Sequence, residues 1–335
     1  MAECAQPLID PGIETLSEIL DPIALVKHLR GVSLGPWSRG TFEDIRVRAL
    51  KHHVGQRCTL EIGLQTERGW HFLIGKVYHS DRSDVFQAMV AMRQAGFGPQ
   101  DEFSIPQPIA YLTSMRLLLL EKVDGPGAKE FFKTGDEQSR ASAAERCAQW
   151  LARFHAMAPR RGESFTAERC MSTLRKRMRH IMRLGGRCAE KAATLLQGLE
   201  DAGAKLHQTK LRAGHGSYSP AQLILAERRT VTFDWDGYCV ADPARDVGRF
   251  LAALRRLAIG RLRSVRALDG AAEVFLKTYL MAGQPDVEKN LRFFLCHAYL
   301  TLATYDISRP GDRWQQKGEA LLDEGLRVAK RETPL

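Results

Sequence analysis

The fold of this chain is decided by one stretch, His215-Gly216-Ser217-Tyr218-Ser219-Pro220-Ala221-Gln222-Leu223-Ile224-Leu225. After a turn at 227–229 come Val231-Thr232-Phe233-Asp234-Trp235-Asp236-Gly237, and then Ala241-Asp242-Pro243-Ala244-Arg245-Asp246-Val247-Gly248. Physically this is a polar loop, a short strand, a tight turn, a second strand ending in a carboxylate, and a helix opened by acids. Carboxylates at the end of a strand pair, beside a polar loop, suit Mg²⁺ and phosphate, because Mg²⁺ takes hard oxygen ligands and shares them with phosphate oxygens.

Working outward, the hydropathy pattern changes period. Residues 13–31 read as a leading helix, with Ile13, Leu16, Ile19, Leu20, Ile23 and Leu25 spaced around Pro22, and 31–40 read as a loop. Ile45-Arg46-Val47-Arg48-Ala49-Leu50 and Thr59-Leu60-Glu61-Ile62-Gly63-Leu64 alternate with period two. A turn at 67–69 leads to a third strand over 70–78, which makes a three-stranded antiparallel meander. A helix is expected over 83–95, then short strands at 109–113 and 115–122. Beyond Asp124-Gly125-Pro126-Gly127 helices are expected at 139–157, 167–184, 188–208, 246–259, 271–282, 287–308 and 314–330. A β pair at 222–226 and 230–235 interrupts them. The fold class is therefore α+β, in two lobes. Residues 1–40 are an N-terminal helix and linker, 41–123 a small antiparallel-sheet lobe, 121–127 a hinge, and 128–335 a larger helical lobe. A ligand crevice is expected between the lobes.

These residues resemble the aminoglycoside phosphotransferase and choline kinase family, a branch of the protein-kinase-like fold. The family pattern is H-G-D-x-x-x-x-N, then a strand reaching I-D-W or I-D-F, then D-P-x-x-D. The chain keeps His215 and Gly216, Asp234-Trp235, Asp242-Pro243 and Asp246. Leu151-Ala152-Arg153-Phe154-His155 is similar to the family's L-A-x-L-H helix. The resemblance covers about residues 40–305 and implies a bilobal kinase-like fold that binds ATP and Mg²⁺ between its lobes. It implies that Lys76, in Ile74-Gly75-Lys76-Val77-Tyr78, grips the α- and β-phosphates and that Glu121 and Val123 lie at the nucleotide-binding hinge. Asp234 would ligate the metal, helped by Gln222. In the basic loop 51–58, Lys51 and Arg57 would face phosphate oxygens. Asp242 and Asp246 are expected to cap the next helix and brace the loop, and His215 to organise it.

The chain also departs from the pattern. Ser217 stands where the family has its catalytic Asp, and a serine hydroxyl cannot act unaided as the base for a substrate hydroxyl. Gln222 replaces the metal-holding Asn, moving the amide oxygen one methylene further out. The helix after Lys76 has no Glu to pair with it, Asp84 or Gln87 being nearest. Two readings follow. One is a phosphotransferase that relies on positioning and electrostatics, the larger share of phosphoryl-transfer catalysis. The other is a pseudokinase, a nucleotide- or ligand-binding regulatory module. A Ser-His-Asp nucleophile is not supported by the order of residues, and His52-His53 lack the company of a zinc site.

Composition narrows the substrate. Of 335 residues, 49 are Lys or Arg and 39 Asp or Glu, a net charge of +10. With 44% hydrophobic and 26% charged residues, the chain is an ordinary globular one, not a disordered or fibrous one. No apolar run reaches the ~18 residues of a membrane span. The start has no basic-then-apolar signal, and the seven cysteines are scattered, so a cytoplasmic location is expected. The excess positive charge raises nucleic acid, anionic lipid or an anionic substrate. It concentrates in two acid-free runs: seven Lys or Arg over 169–187, and six over 249–266. Phe250 is the only Phe, Tyr or Trp in either run, which disfavours nucleic acid. The resembling region of aminoglycoside kinases tends to be acidic. The expected partner is therefore a small-molecule acceptor that is anionic or neutral, such as a sugar or glycan, and not an aminoglycoside.

Overall fold

The computed structural model describes residues 8–30, 32, 43–67, 69–283 and 285–330. The loop expected at 31–40 lies outside these residues, apart from Val32. The chain divides into two compact units, Met1–Asp124 and Gly125–Leu335.

In the first unit the leading segment forms two helices, α1 (Leu16–Leu20) and α2 (Pro22–Leu29), not the single one expected. The break has a local cause: Pro22 starts α2 at the position where its missing N–H costs nothing, and Asp21 Oδ1 accepts from Ile23 N at 2.9 Å. Then come β1 (Asp44–His53), β2 (Arg57–Thr66), β3 (Gly69–Tyr78), α3 (Ser83–Gln94), a two-residue strand β4 (Phe103–Ser104), β5 (Pro108–Leu112) and β6 (Leu117–Glu121). The five long strands form one antiparallel sheet in the order β1-β2-β3-β6-β5.

Register decides what each sheet face carries. Arg57 lies opposite Tyr78, Thr59 opposite Lys76, and Lys76 opposite Leu118. Opposed residues point the same way and neighbours the other way, so Arg57, Thr59, Lys76 and Tyr78 share a face. Cys58, Leu60, Ile62, Leu64, Leu73, Val77, Leu117 and Leu119 occupy the other face and pack with Leu16, Ile19, Leu25 and Leu29. Each such buried aliphatic side chain contributes about 1.5–3 kcal/mol. The apolar face thereby fixes the register that turns Lys76 to the opposite side.

The second unit is mainly helical: α4 (Ala128–Thr134), α5 (Glu137–Met157), α6 (Ala167–Leu184), α7 (Gly186–Gly203), α8 (Ala244–Leu257), α9 (Asp269–Met281), α10 (Glu288–Ile307) and α11 (Asp312–Ala329). Helix α4 was not anticipated from the pattern. Helix α10 is buried along much of its length. The strands β9 (Leu223–Leu225) and β10 (Thr230–Thr232) pair antiparallel. Three further short strands, β7 (Ser164–Phe165), β8 (Arg212–Gly214) and β11 (Cys239–Ala241), form a sheet in the order β7-β11-β8. Buried aromatic rings hold the loop between β8 and β9: Trp150 stacks on Phe154 at 5.2 Å and on Tyr218 at 5.8 Å, and His215 meets Trp235 at 4.6 Å. Tyr218 donates its hydroxyl to the Cys147 carbonyl at 2.7 Å. Among the described residues no helix is long and apolar enough to cross a membrane.

Candidate active site

The loop after β8 is tied to the start of α8 through Asp246. Its Oδ2 accepts from His215 N at 2.7 Å and its Oδ1 from Gly216 N at 2.9 Å. His155, buried on α5, lies between Tyr279 Oη (2.7 Å from Nδ1) and Asp246 Oδ2 (3.4 Å from Nε2). Burial raises the Asp246 pKa, but the His155 hydrogen bond and the neighbouring His155, His215 and Arg245 outweigh it and hold the carboxyl at about 2. Asp242 closes the same turn: Oδ1 accepts from Ala244 N at 2.8 Å, and Oδ2 from Thr209 Oγ1 at 2.6 Å and Asn290 Nδ2 at 2.8 Å. Gly216 adopts φ +83, and a Cβ there would stand 2.4 Å from the Gly237 carbonyl oxygen, so only glycine fits.

His215 and Ser217 form a pair. The Phe233 carbonyl can only accept, so His215 Nε2, at 3.1 Å, carries the proton. Nδ1 then presents its lone pair to Ser217 N and Ser217 Oγ, each 3.3 Å away. Asp246 holds the His215 main chain.

The hairpin brings Gln222 and Asp234 together. Phe233 N donates to the Gln222 carbonyl at 3.0 Å, which places Asp234 one residue beyond the residue facing Gln222. Asp234 has left-handed backbone (φ 73, ψ 61), an uncommon state that costs a non-glycine residue about 1 kcal/mol and that aspartate tolerates best. Gln222 Oε1 accepts from Ser219 Oγ. The donor set of Asp234, Asp236 and Gln222 is all oxygen, which suits Mg²⁺. Among the described residues no group of three His, Cys, Asp or Glu side chains is built to cage a metal.

The other sequence candidates lie on the first unit. Lys76 is buried on β3, and Arg57, at the start of β2, is on the same sheet face. Glu121 ends β6, with its Oε2 accepting from Gln107 N and its N–H donating to the Gln107 carbonyl, each at 2.9 Å. Val123 follows in the segment after β6. Asp84 pairs with Arg82 at 2.9 Å, and Gln87 is exposed. His52 pairs with Asp10 at 2.7 Å.

Sequence reasoning missed most of a basic pocket in the second unit. A cavity of about 370 Å³ is floored by Ser219, Pro220 and Ala221, between Ser217 and Gln222 in the chain. Its walls carry Lys129, Arg256, Arg261, Arg309, Arg313 and Lys317, with Tyr305 and Trp314. One buried carboxylate, Asp306, pairs with two of them, Arg256 at 2.8 Å and Lys317 at 3.7 Å. Among the described residues none of Lys129, Arg261, Arg309 and Arg313 has a carboxylate partner. Arg309 lies 4.4 Å from both the Tyr305 and the Trp314 ring centres, held by π faces that leave its charge uncancelled. Burial, then Arg256, pushes the Lys317 pKa down to about 8 despite Asp306. A Cβ on Gly260 would stand 2.7 Å from Lys317 Nζ, so this glycine leaves room for the ammonium. The i, i+4 spacing of Arg309, Arg313 and Lys317 was the available signal. In the run at 169–187 three of the seven basic residues pair with acids from outside the run: Arg169 with Glu163, Arg175 with Glu200, and Arg187 with Glu319.

The sequence profile of the phosphotransferase enzyme family matches residues 71–281, and the chain belongs to that family. Its α+β, kinase-like fold is shared with solved structures. A choline/ethanolamine kinase family protein from Mesorhizobium loti is 12% identical, with a TM-score of 0.62 over 91% of this chain and 95% of that one. A macrolide 2'-phosphotransferase from Brachybacterium faecium is 16% identical, with a TM-score of 0.52 over 90% and 98%. A thermostable mutant of an aminoglycoside phosphotransferase, in ternary complex with AMP-PNP and hygromycin B, is 13% identical, with a TM-score of 0.61 over 88% and 97%. Among curated proteins none matches.

Proposed function

We propose that this phosphotransferase moves the γ-phosphate of ATP to a hydroxyl of a negatively charged small molecule, such as a phosphorylated or acidic sugar. The observation that carries the reading is the basic pocket. Six cations and a single paired carboxylate surround a cavity of small-metabolite size, on the turn between Ser217 and Gln222. A cationic acceptor would be repelled there, and a neutral one would leave the cations uncompensated.

In this reading Lys76 and Arg57 bind nucleotide phosphates, the main chain at Glu121 and Val123 meets the base, and Asp234 with Gln222 would hold Mg²⁺. Bound Mg²⁺ would neutralise charge on the phosphates. Ser217 accepts a hydrogen bond from the acceptor hydroxyl. Its own proton moves to the lone pair on His215 Nδ1 as the acceptor's proton moves to Ser217 Oγ, so no carboxylate base is needed. The AMP-PNP bound to the aminoglycoside phosphotransferase neighbour supports a nucleotide donor.

A second reading, a regulatory module that binds nucleotide without efficient transfer, is favoured by the grip of Ser219 on Gln222 Oε1. Nucleotide titration with and without Mg²⁺, repeated on Lys76→Ala and Asp234→Ala, tests the shared premise. The expected result is Mg²⁺-dependent binding weakened on the order of 10–100-fold in each variant, the worth of a charge-assisted contact. No binding by the unmutated protein would refute both readings. Binding without turnover on any anionic acceptor would favour the second.

A further inference from the structure

A second cavity, of about 190 Å³, opens in the second unit on the other part of the same loop. It is lined by Gly216 and Ser217, by Arg177 of α6, by Arg245 and Arg249 of α8, and by His297 and Thr301 of α10. It shares Ser217 with the phosphoryl-transfer scheme, and its arginines have no role there.

Its arginines have no direct ion pair: among the described residues Arg177, Arg245 and Arg249 have no carboxylate partner. The acid closest in sequence, Asp246, is already filled by His215 N, Gly216 N and His155. Arg245 is held without neutralisation, 3.7 Å from the Phe165 ring centre and 3.2 Å from Cys239 Sγ. Arg249 Nε is shut away from solvent and has no hydrogen-bond partner. A buried donor left unmade is costly, and a buried cation more so. Burial first, then the charges of Arg256, Arg177 and Arg245, lower the Arg249 pKa to about 10. Burial, then Arg245, likewise holds His297 near 3, so it is neutral at physiological pH and adds no charge of its own.

We propose that this cavity is a built site for one small anionic group, a phosphate or a carboxylate, bound by Arg249, Arg245 and Arg177 against Ser217. A cavity of about 190 Å³ suits a single tetrahedral or planar oxyanion. Arginine forks match such groups with paired N–H donors, and the Thr173 and Thr301 hydroxyls at the rim add neutral ones. Occupancy would give Arg249 Nε its acceptor and would place a negative charge beside Ser217, ordering the loop 215–217. The site does not depend on the acceptor assignment above.

The test is calorimetric titration of inorganic phosphate into the full-length protein, with melting temperature read alongside and chloride at equal ionic strength as the control. One phosphate should bind and raise the melting temperature. Arg177→Gln, at an exposed position, should weaken phosphate about tenfold or more without changing the phosphate-free melting temperature. Arg249→Met should abolish the phosphate increment and, by removing a buried Nε–H that has no acceptor, leave the phosphate-free protein no less stable. Arg183→Gln, an exposed change outside both cavities, should change neither quantity. Displacement of phosphate by a sugar phosphate, with the same arginine dependence, assigns the site to the anionic group of a metabolite; retention assigns it to the free ion, and both uphold the site. No phosphate effect beyond that of chloride would overturn it. So would a phosphate effect that survives both Arg177→Gln and Arg249→Met.

Discussion

The backbone N–H of His215 donates to Asp246 Oδ2 across 2.7 Å and 31 residues of sequence, and through that bond the start of α8 sets the position of the loop. Asp246→Asn keeps the shape but loses the charge, and its amide cannot accept on both atoms from His215 N and Gly216 N. Equilibrium denaturation should show a loss of about 1.5–3 kcal/mol per charged hydrogen bond given up. A variant as stable as the parent would show that the brace contributes nothing.

The same carboxyl gives an acid limb to stability. Its folded pKa, about 2, lies below the ordinary carboxylate value of 3.8, so the unfolded chain takes up the proton first. Its contribution is full above pH 3.8 and is lost as pH falls towards 2. His297 acts in a higher window. With a folded pKa near 3 against an unfolded 6.5, it draws stability down as pH falls from 6.5 towards 3. Melting temperature against pH should fall more shallowly between these limits in His297→Gln, and unchanged slopes would contradict the burial of a neutral ring.

Ser217 and His215 should act as one unit. Ser217→Ala leaves the acceptor proton without its relay and should lower kcat on the order of 10²–10⁴, the usual worth of general-base help, with nucleotide affinity little changed. Ser217→Asp supplies the base, but its new carboxylate faces Arg177, Arg245 and Arg249 in the second cavity. It should therefore turn over nucleotide yet lose the phosphate response there. Steady-state rates and phosphate titration separate the two effects.

Lys317 ties acceptor affinity to pH. Its ammonium, lowered to about 8, is charged below that value and neutral above it. An anionic acceptor should bind more weakly as pH rises through about 8, and Lys317→Met should flatten that dependence in KM. A KM independent of pH from 7 to 9 in the unmutated protein would place the acceptor elsewhere.

How much of this was legible in the sequence depends on how local each signal is. The loop at 215, the hairpin to Asp234 and the sheet alternation around Lys76 are short-range patterns, and the structure carries them as hairpin and strand register. The brace by Asp246 was expected, but its reach to His155 and Tyr279 was not, because those residues meet only through helix packing. The acid-free run at 169–187 finds part of its compensation on other elements, as Glu200 of α7 does for Arg175, which the local sequence does not show. The basic pocket escaped because Lys129, Arg256 and Arg313 come from three separate helices. Tyr305 and Trp314, which hold Arg309 by their faces, read in sequence as ordinary aromatics.

The central claim, a phosphotransferase for a negatively charged acceptor, is tested most directly by transfer of label from γ-labelled ATP with Mg²⁺ to a matched acceptor panel. The panel pairs phosphorylated and carboxylated sugars with their neutral parents and with an aminoglycoside. The account predicts label on an anionic member, with kcat/KM at least about tenfold above its neutral parent and reduced by Arg313→Glu. Label on the aminoglycoside in preference to every anionic acceptor would contradict it.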